Sequence, residues 1–526
     1  MTVSPSRPLQ RVESKGEPEV AWNLVALAAG ARAVAELAAI SSYGYVRDEL
    51  YYLACADHPA AGYVDQPPLS ILFLTAWKSA FGNSLVALRI PPLLLGVSVI
   101  VMTALLAHRL GGGRAAQGLA AGAAACAPIW LGMSRYYSMN AFDIFFWTLA
   151  ALLLAELLNM DPGRGATRLW LFLGAVLGLG LENKISVLWL GFGIFTGLLV
   201  TPARRWLKTP GPWLAGGIAG ALFLPHVLWQ VSNGWPTLEF MRNATQGKYK
   251  AFPLPSFLKE ELLHFNLVAA PLWVAGLVWL FASRGGRRFR ALGIVWAATF
   301  VILVVNGNAK PEYLSPAFAP LLAAGGVSFE RLLHRGRSVW PAAVYAGTLV
   351  LNAALVAPFA LPLLPVPRYL AYAKSLGVAP STSENKVIGP LPQHYADMFG
   401  WPEMAETIAG VWQTLPETDR AKTAVYVYNY GEAAAVDFFG KRLGLPPAIC
   451  PHNNYFLWGA RGQKPEIFLV YGGPREGPLR VFSSVEAGAV FTHPWVMPYE
   501  NGRTVWVCRG LKVPFAEIWP GEKNFS

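Results

Sequence analysis

The sequence predicts a polytopic α-helical membrane protein that ends in a small α/β domain. Three observations carry this reading. Hydrophobic residues make up 54% of the 526 positions and charged residues only 14%, against about 25% charged in a typical soluble chain. Apolar runs of about 20 residues, the length a bilayer requires, recur between residues 21 and 362. After Pro367 the apolar runs stop and short alternating segments take over.

In chain order, residues 1–20 are polar, lack a cleavable signal pattern and read as a cytoplasmic tail. About eleven spans follow at 21–40, 86–108, 115–133, 142–159, 168–182, 185–202, 211–229, 264–283, 291–306, 315–333 and 339–362. They form a transmembrane domain over 21–365 with two larger loops, 41–85 and 230–263. Leu69–Phe81 is apolar but too short to cross and is predicted to lie along the surface. Residues 366–526 form the soluble domain. Thr423–Tyr428, Glu466–Tyr471 and Thr504–Cys508 read as strands, and Glu432–Gly440 as a helix.

The net charge of +12 is a topology signal and not a nucleic-acid footprint. Short basic loops at Arg109/Arg114, Arg164/Arg168, Arg204/Arg205/Lys208, Arg284–Arg290 and Arg331–Arg337 fall on one side, together with Arg7, Arg11 and Lys15. The positive-inside rule makes that side cytoplasmic. The opposite side then holds the two larger loops, Ser134–Asn140, Glu182–Lys184, Gly307–Ser315 and the C-terminal domain. Four cysteines are too few for a disulfide framework; Cys450 and Cys508 either pair there or remain free thiols.

The unusual chemistry lies on that opposite side. Tyr43 to Leu69 places Asp48, Glu49, Asp57 and Asp65 among five tyrosines directly after a span. Carboxylates at a membrane edge carry a desolvation cost, which favours a functional role. The competing structural reading makes Asp48 a helix N-cap. Asp143, at the start of the fourth span, is a second acid at the same depth, or else a dipole-favoured residue of the first helical turn. One carboxylate can serve as a general base while the other orients the substrate or a metal. Arg47, Arg135, Lys184, Arg242, Lys248, Lys250 and Lys310 supply cations, of which Lys184 is the most isolated in apolar sequence. Such groups suit a leaving phosphate whose charge grows in the transition state. No cofactor motif is present. A divalent ion on Asp48, Asp143 and a histidine is the one metal site the composition leaves open, although no histidine has metal-ligand spacing.

At these residues the chain resembles a known family. Asp48-Glu49-x-x-Tyr52 followed by Gly62-Tyr63-Val64-Asp65-Gln66-Pro67-Pro68 is similar to the first outer loop of GT-C membrane glycosyltransferases. The nearest pattern is that of the bacterial branch of the protein O-mannosyltransferase family (glycosyltransferase family 39), which includes the lipid A aminoarabinose transferases. The likeness continues at Arg89–Pro92, Met139–Asp143, Leu177–Lys184, Asn308–Tyr313, Asn429–Ala433 and His452–Tyr455. It implies a GT-C fold, a bacterial inner (plasma) membrane location and an extracytoplasmic active site. It also implies a polyprenyl-phosphate sugar donor and transfer with inversion to a lipid, glycan or protein acceptor of the envelope, with membrane lipids and no nucleic acid as partners. Asp48, Glu49 and Asp143 would then be the catalytic acids. Tyr52, Tyr63, Asp65, Gln66, Arg135, Lys184, Lys310 and Tyr313 would bind the donor phosphate and sugar. The aminoarabinose transferases carry an arginine where this chain has Tyr51 and a lysine where it has Gln66; Arg47 or Arg135 is the available substitute.

Two other functions are compatible with a membrane protein of this kind. A transporter or flippase of a lipid-linked or anionic substrate would place charges at mid-membrane and repeat its halves, whereas here the charges gather on one side. A scaffold would use the acidic loop for contacts alone. Product formation separates both from a transferase.

Overall fold

The computed structural model describes residues 19–336 and 340–526. The basic tail (Arg7, Arg11 and Lys15) and Arg337 lie outside the described residues. All eleven predicted spans are helical. Six of these helices are long and apolar enough to cross a membrane, or up to nine when each of three bent pairs is one span. The bent pairs are 114–134, 187–208 and 254–282, with bends of 59°, 106° and 97°. Helices Trp22–Ala39 and Ala319–Gly336 complete the bundle without meeting that test. The first carries Arg32 and Glu36, which pair at 2.8 Å inside the bundle and share the Ser134 hydroxyl.

Leu85–Arg109 shows how the sequence resolves its own conflicts. Pro91 and Pro92 lie within this helix, and Pro91 cannot donate to the Ala87 carbonyl. The Trp77 indole N–H, from the surface helix Leu69–Phe81, donates to that carbonyl at 2.8 Å.

The basic loops converge at one end of the bundle. There Arg109 pairs with Glu156, Arg205 with Asp161, and Glu330 accepts from the N–H groups of Gly113 and Ala115. The C-terminal domain covers the other end. Its sheet has the order β1-β2-β4-β3, with β1 Thr423–Val427, β2 Ile467–Tyr471, β3 Phe482–Phe491 and β4 Arg503–Leu511. β1 and β2 are parallel and the other two pairs antiparallel. β3 was absent from the sequence expectation: its Ser-Ser and Glu-Ala-Gly-Ala stretches and a bulge near Ala487 break the alternation that marks a strand. All four cysteines are free and buried, which settles Cys450 and Cys508 as thiols.

Docking of the domain on the bundle runs through Tyr430–Phe439, which packs on Arg47–Ala56. Asn429 and Glu432 form a capping box, the Glu432 carboxylate accepting from the Tyr428 and Asn429 N–H groups. That box fixes Tyr430 as the first helical residue, facing the loop. A Cβ on Gly431 would lie 2.2 Å from Arg47 Cγ, and the Arg47 head is held by Tyr499 and Asp397. Gly431→Ala is therefore expected to cost about 1–3 kcal/mol and to loosen the domain, read as faster limited proteolysis between residues 376 and 392 with the bundle intact.

Candidate active site

The site is built on a buried ion pair. Glu49 is 0% exposed and accepts from Arg89 Nε at 3.0 Å and Arg89 Nη2 at 2.8 Å. It also accepts from the backbone N–H groups of Val46 at 2.9 Å and Tyr137 at 3.1 Å. The remaining Arg89 donors reach the carbonyls of Ile40, Ser42 and Gly44. Every donor of the guanidinium is thus used, and the carboxylate accepts four bonds. The pair ties the end of the first helix, the loop helix Arg47–Ala56, the second span and the turn after Ser134 into one knot. Glu49, expected among the catalytic acids, has both oxygens engaged and anchors the loop.

Asp48 faces the other way. Helix Arg47–Ala56 starts from Val46 as N-cap, so Asp48 is not the cap that the structural reading supposed. Its side chain is 42% exposed. Oδ1 accepts from the Tyr430 hydroxyl at 2.9 Å and lies 3.8 Å from Arg47 Nε, while Oδ2 has no partner among the described residues. Lys248, Lys310 and Asp65 are within electrostatic reach of it. Arg47 is buried against Asp397, Tyr430 and Tyr499. Burial lowers its proton affinity, but Asp397, Tyr430, Tyr499 and Asp48 more than restore it, so the guanidinium is firmly charged.

Asp65 lies beside Asp48 with Oδ1 accepting from the Tyr51 hydroxyl at 3.1 Å. Burial pushes its carboxyl up to about 6, against the pull of Tyr51, its own backbone N–H and Lys248. Glu384, across the site, moves the opposite way. Burial would raise it, but Arg47, Lys248 and Lys310 bring it down to about 2.

Asp143 and Lys184 meet as the sequence anticipates. Lys184 Nζ is 3.3 Å from Asp143 Oδ2 and donates to Asn140 Oδ1 at 2.8 Å. Ser186 donates to Asp143 Oδ1 at 2.8 Å. Asp143 is the fifth residue of helix Met139–Asn159 and is held by Lys184, not by the helix N-terminus. The Lys184 ammonium lies over the Tyr313 ring, 5.1 Å from its centroid, and Tyr313 donates to the Tyr249 hydroxyl at 3.3 Å. Lys310 stands over Tyr249 and between Glu312 and Glu384, at 3.8 and 3.9 Å. Directly below, Trp147, Ala151 and Leu154 follow Asp143 down one helix face. With Leu190, Ile194 and Pro316 they line a narrow apolar crevice of about 10 Å³.

The other residues expected at the donor site divide. The Tyr63 hydroxyl accepts from Ala60 N–H and donates to the His58 carbonyl, both at 3.1 Å, so it staples the loop. The Tyr52 hydroxyl accepts from Met139 N–H at 3.0 Å. Gln66 is buried with its Nε2 unpartnered. Arg135 is 8% exposed and donates to the His394 carbonyl between the Tyr136 and Tyr395 rings. Asp48, Asp143 and a histidine do not converge; no three His, Cys, Asp or Glu side chains among the described residues are placed to share a metal ion. The sequence expectation omitted Tyr51, Tyr430, Asn454, Asp397 and Glu384 as site residues. The signal for Tyr430 was local, since Asn429 and Glu432 spell a capping box beside a tyrosine.

Two adjacent acids should therefore behave oppositely in thermal unfolding of the detergent-solubilised protein. Glu49→Gln strands Arg89 and is expected to lose about 3–5 kcal/mol. Asp48→Asn, half-exposed, should stay within about 1 kcal/mol of wild type.

Residues 65–229 match the family model described as dolichyl-phosphate-mannose-protein mannosyltransferase. No curated protein matches the chain by sequence. Among solved structures, ArnT from Cupriavidus metallidurans bound to undecaprenyl phosphate superposes with a TM-score of 0.63 at 16% identity, covering 92% of this chain and 98% of that one. The Archaeoglobus fulgidus oligosaccharyltransferase tethered to an acceptor peptide gives 0.50 at 14% identity, over 79% of this chain and 63% of that one. The arabinofuranosyltransferase AftD from Mycobacteria gives 0.50 at 15% identity, over 93% and 42%. The chain therefore has the GT-C glycosyltransferase fold, as a multi-pass membrane protein similar to ArnT over nearly the whole of both chains, and carries the mannosyltransferase family pattern in residues 65–229.

Proposed function

We propose that the protein is an inverting glycosyltransferase. It moves a sugar from a polyprenyl-phosphate donor to an envelope acceptor on the outer face of a bacterial inner membrane. The observation that carries this reading is a carboxylate with one free oxygen, Asp48, within electrostatic reach of Lys248 and Lys310, while the Asp143–Lys184 pair stands above a narrow apolar crevice. A sugar joined to a lipid through phosphate has that sequence of chemistries: an electrophilic carbon, an anion and a hydrocarbon tail. The bound undecaprenyl phosphate of the ArnT structure supports the same donor class. Basic loops gathered at the far end of the bundle support an outward-facing site by the positive-inside rule.

In the proposed reaction the acceptor hydroxyl gives its proton to Asp48 Oδ2 as its oxygen attacks the anomeric carbon. The bond from that carbon to the phosphate oxygen breaks on the opposite face, which inverts the configuration. The electron pair leaves with polyprenyl phosphate. Lys184 and Lys310 stabilise the charge that grows on the departing phosphate. Tyr313 and Asp143 hold Lys184 in place. Tyr430 holds Asp48 by its other oxygen.

Release of polyprenyl phosphate from a panel of polyprenyl-phosphate sugars, with envelope extract as acceptor, tests this directly. Asp48→Asn is expected to lower turnover by about 10²–10⁴-fold while polyprenyl-phosphate binding persists. Full transfer by the folded variant would remove Asp48 as the base. Donor binding without release by the wild type would remove the transferase reading.

A further inference from the structure

The His452–Tyr455 motif belongs to the C-terminal domain, yet one of its side chains reaches into the loop. Asn454 is buried, and its Oδ1 accepts from Val64 N–H at 3.1 Å. That bond fixes the orientation of the amide, so Nδ2 is the atom turned toward Tyr51. Nδ2 donates to the Tyr51 hydroxyl oxygen at 2.7 Å, and the Asn454 backbone N–H approaches the same oxygen at 3.4 Å. A phenolic oxygen has two lone pairs and one proton. With both lone pairs taken, the Tyr51 proton goes to Asp65 Oδ1, 3.1 Å away. The order of donation is thus set: Val64 to Asn454, Asn454 to Tyr51, Tyr51 to Asp65.

The backbone that presents Asn454 is strained for this purpose. Asn453 adopts φ 49° and ψ −130°, a region costing a non-glycine residue of order 1–3 kcal/mol. It is held by its N–H bond to the Asn524 carbonyl at 2.9 Å. Strain of this kind collects where geometry is constrained by function.

We infer that Asn454 is a positioning residue of the active site: through Tyr51 it holds Asp65 as a hydrogen-bond acceptor beside Asp48, so the site is complete only with the C-terminal domain docked. The groups facing Asp65 are Tyr51, Tyr52, Cys55 and Asp48 from the loop helix and Lys248 from the segment opposite. The Tyr51 bond favours the ionised carboxylate over the protonated form. Losing it moves proton uptake by Asp65 to higher pH. The negative charge next to Asp48 and Lys248 then disappears at a pH where the wild type still carries it.

The turnover readout rests on the transferase reading; the titration readout does not. Infrared spectroscopy of the full-length protein in nanodiscs follows the protonated carboxyl band against pH, with Asp65→Asn identifying the Asp65 contribution. Tyr51→Phe and Asn454→Ala are each expected to raise the Asp65 midpoint, by up to about one pH unit, the size of a lost charge-assisted hydrogen bond. The double variant should go no further than the larger single shift, because both act through one hydroxyl. The acid limb of turnover should move up by the same amount. An unchanged midpoint in folded single variants, or shifts that simply add, would overturn the inference. If the wild type turns over no polyprenyl-phosphate sugar, the transferase reading fails while the infrared midpoint still decides this one.

Discussion

The structure depends on the Glu49–Arg89 pair. Moving two opposite charges out of water costs several kcal/mol per ion, and attraction alone seldom repays it. Here the repayment comes from saturation: all five guanidinium donors and both carboxylate oxygens are engaged. The knot joins four segments that the chain order keeps apart. It also fixes the rotation of the Arg47–Ala56 helix. Successive residues on a helix point about 100° apart, so burying Glu49 obliges Asp48 to face the domain interface. A single buried contact therefore decides which of two adjacent acids is available for chemistry.

The interface above the knot is a layer of compensated charge. Arg47, Lys248 and Lys310 face Asp48, Asp65, Glu384 and Asp397, and tyrosine hydroxyls hold two of the four acids. The consequence is a set of carboxylates with separated proton affinities, Asp65 near 6 and Glu384 near 2. Five of these seven charged residues belong to the bundle and its loops, and Glu384 and Asp397 belong to the C-terminal domain, so the domain is part of the site's electrostatics as well as its cover.

Much of this was legible in the sequence, for physical reasons. Spans are read from length and apolarity, and all eleven are helices. Asp143 and Lys184 were legible because ionisable groups are costly in apolar runs and topology puts both at one end. The strands β1, β2 and β4 are short apolar runs with clear ends. Other features needed three dimensions. Nothing local distinguishes Glu49 from Asp48, since the difference lies in Arg89, forty residues away. The Tyr63 hydroxyl bonds only to backbone atoms of its own loop, a fact that residue identity does not record. Asn454 was visible as part of a motif, but its partner Tyr51 lies 403 residues earlier. Of the three bends only the one at 126–127 falls within a predicted span, the other two lie at span ends, and Pro128 and Pro202 mark two of them in the sequence.

The central claim is that a lipid phosphate sits between Lys184 and Lys310 with its reacting carbon in front of Asp48. The most direct measurement is a cryo-electron microscopy map of the protein with polyprenyl phosphate bound. The account predicts phosphate density in contact with Lys184 or Lys310, on the side of the free Asp48 oxygen, and tail density running past Trp147, Ala151 and Leu154. Phosphate density at Arg135, with none at Lys184 or Lys310, would contradict it.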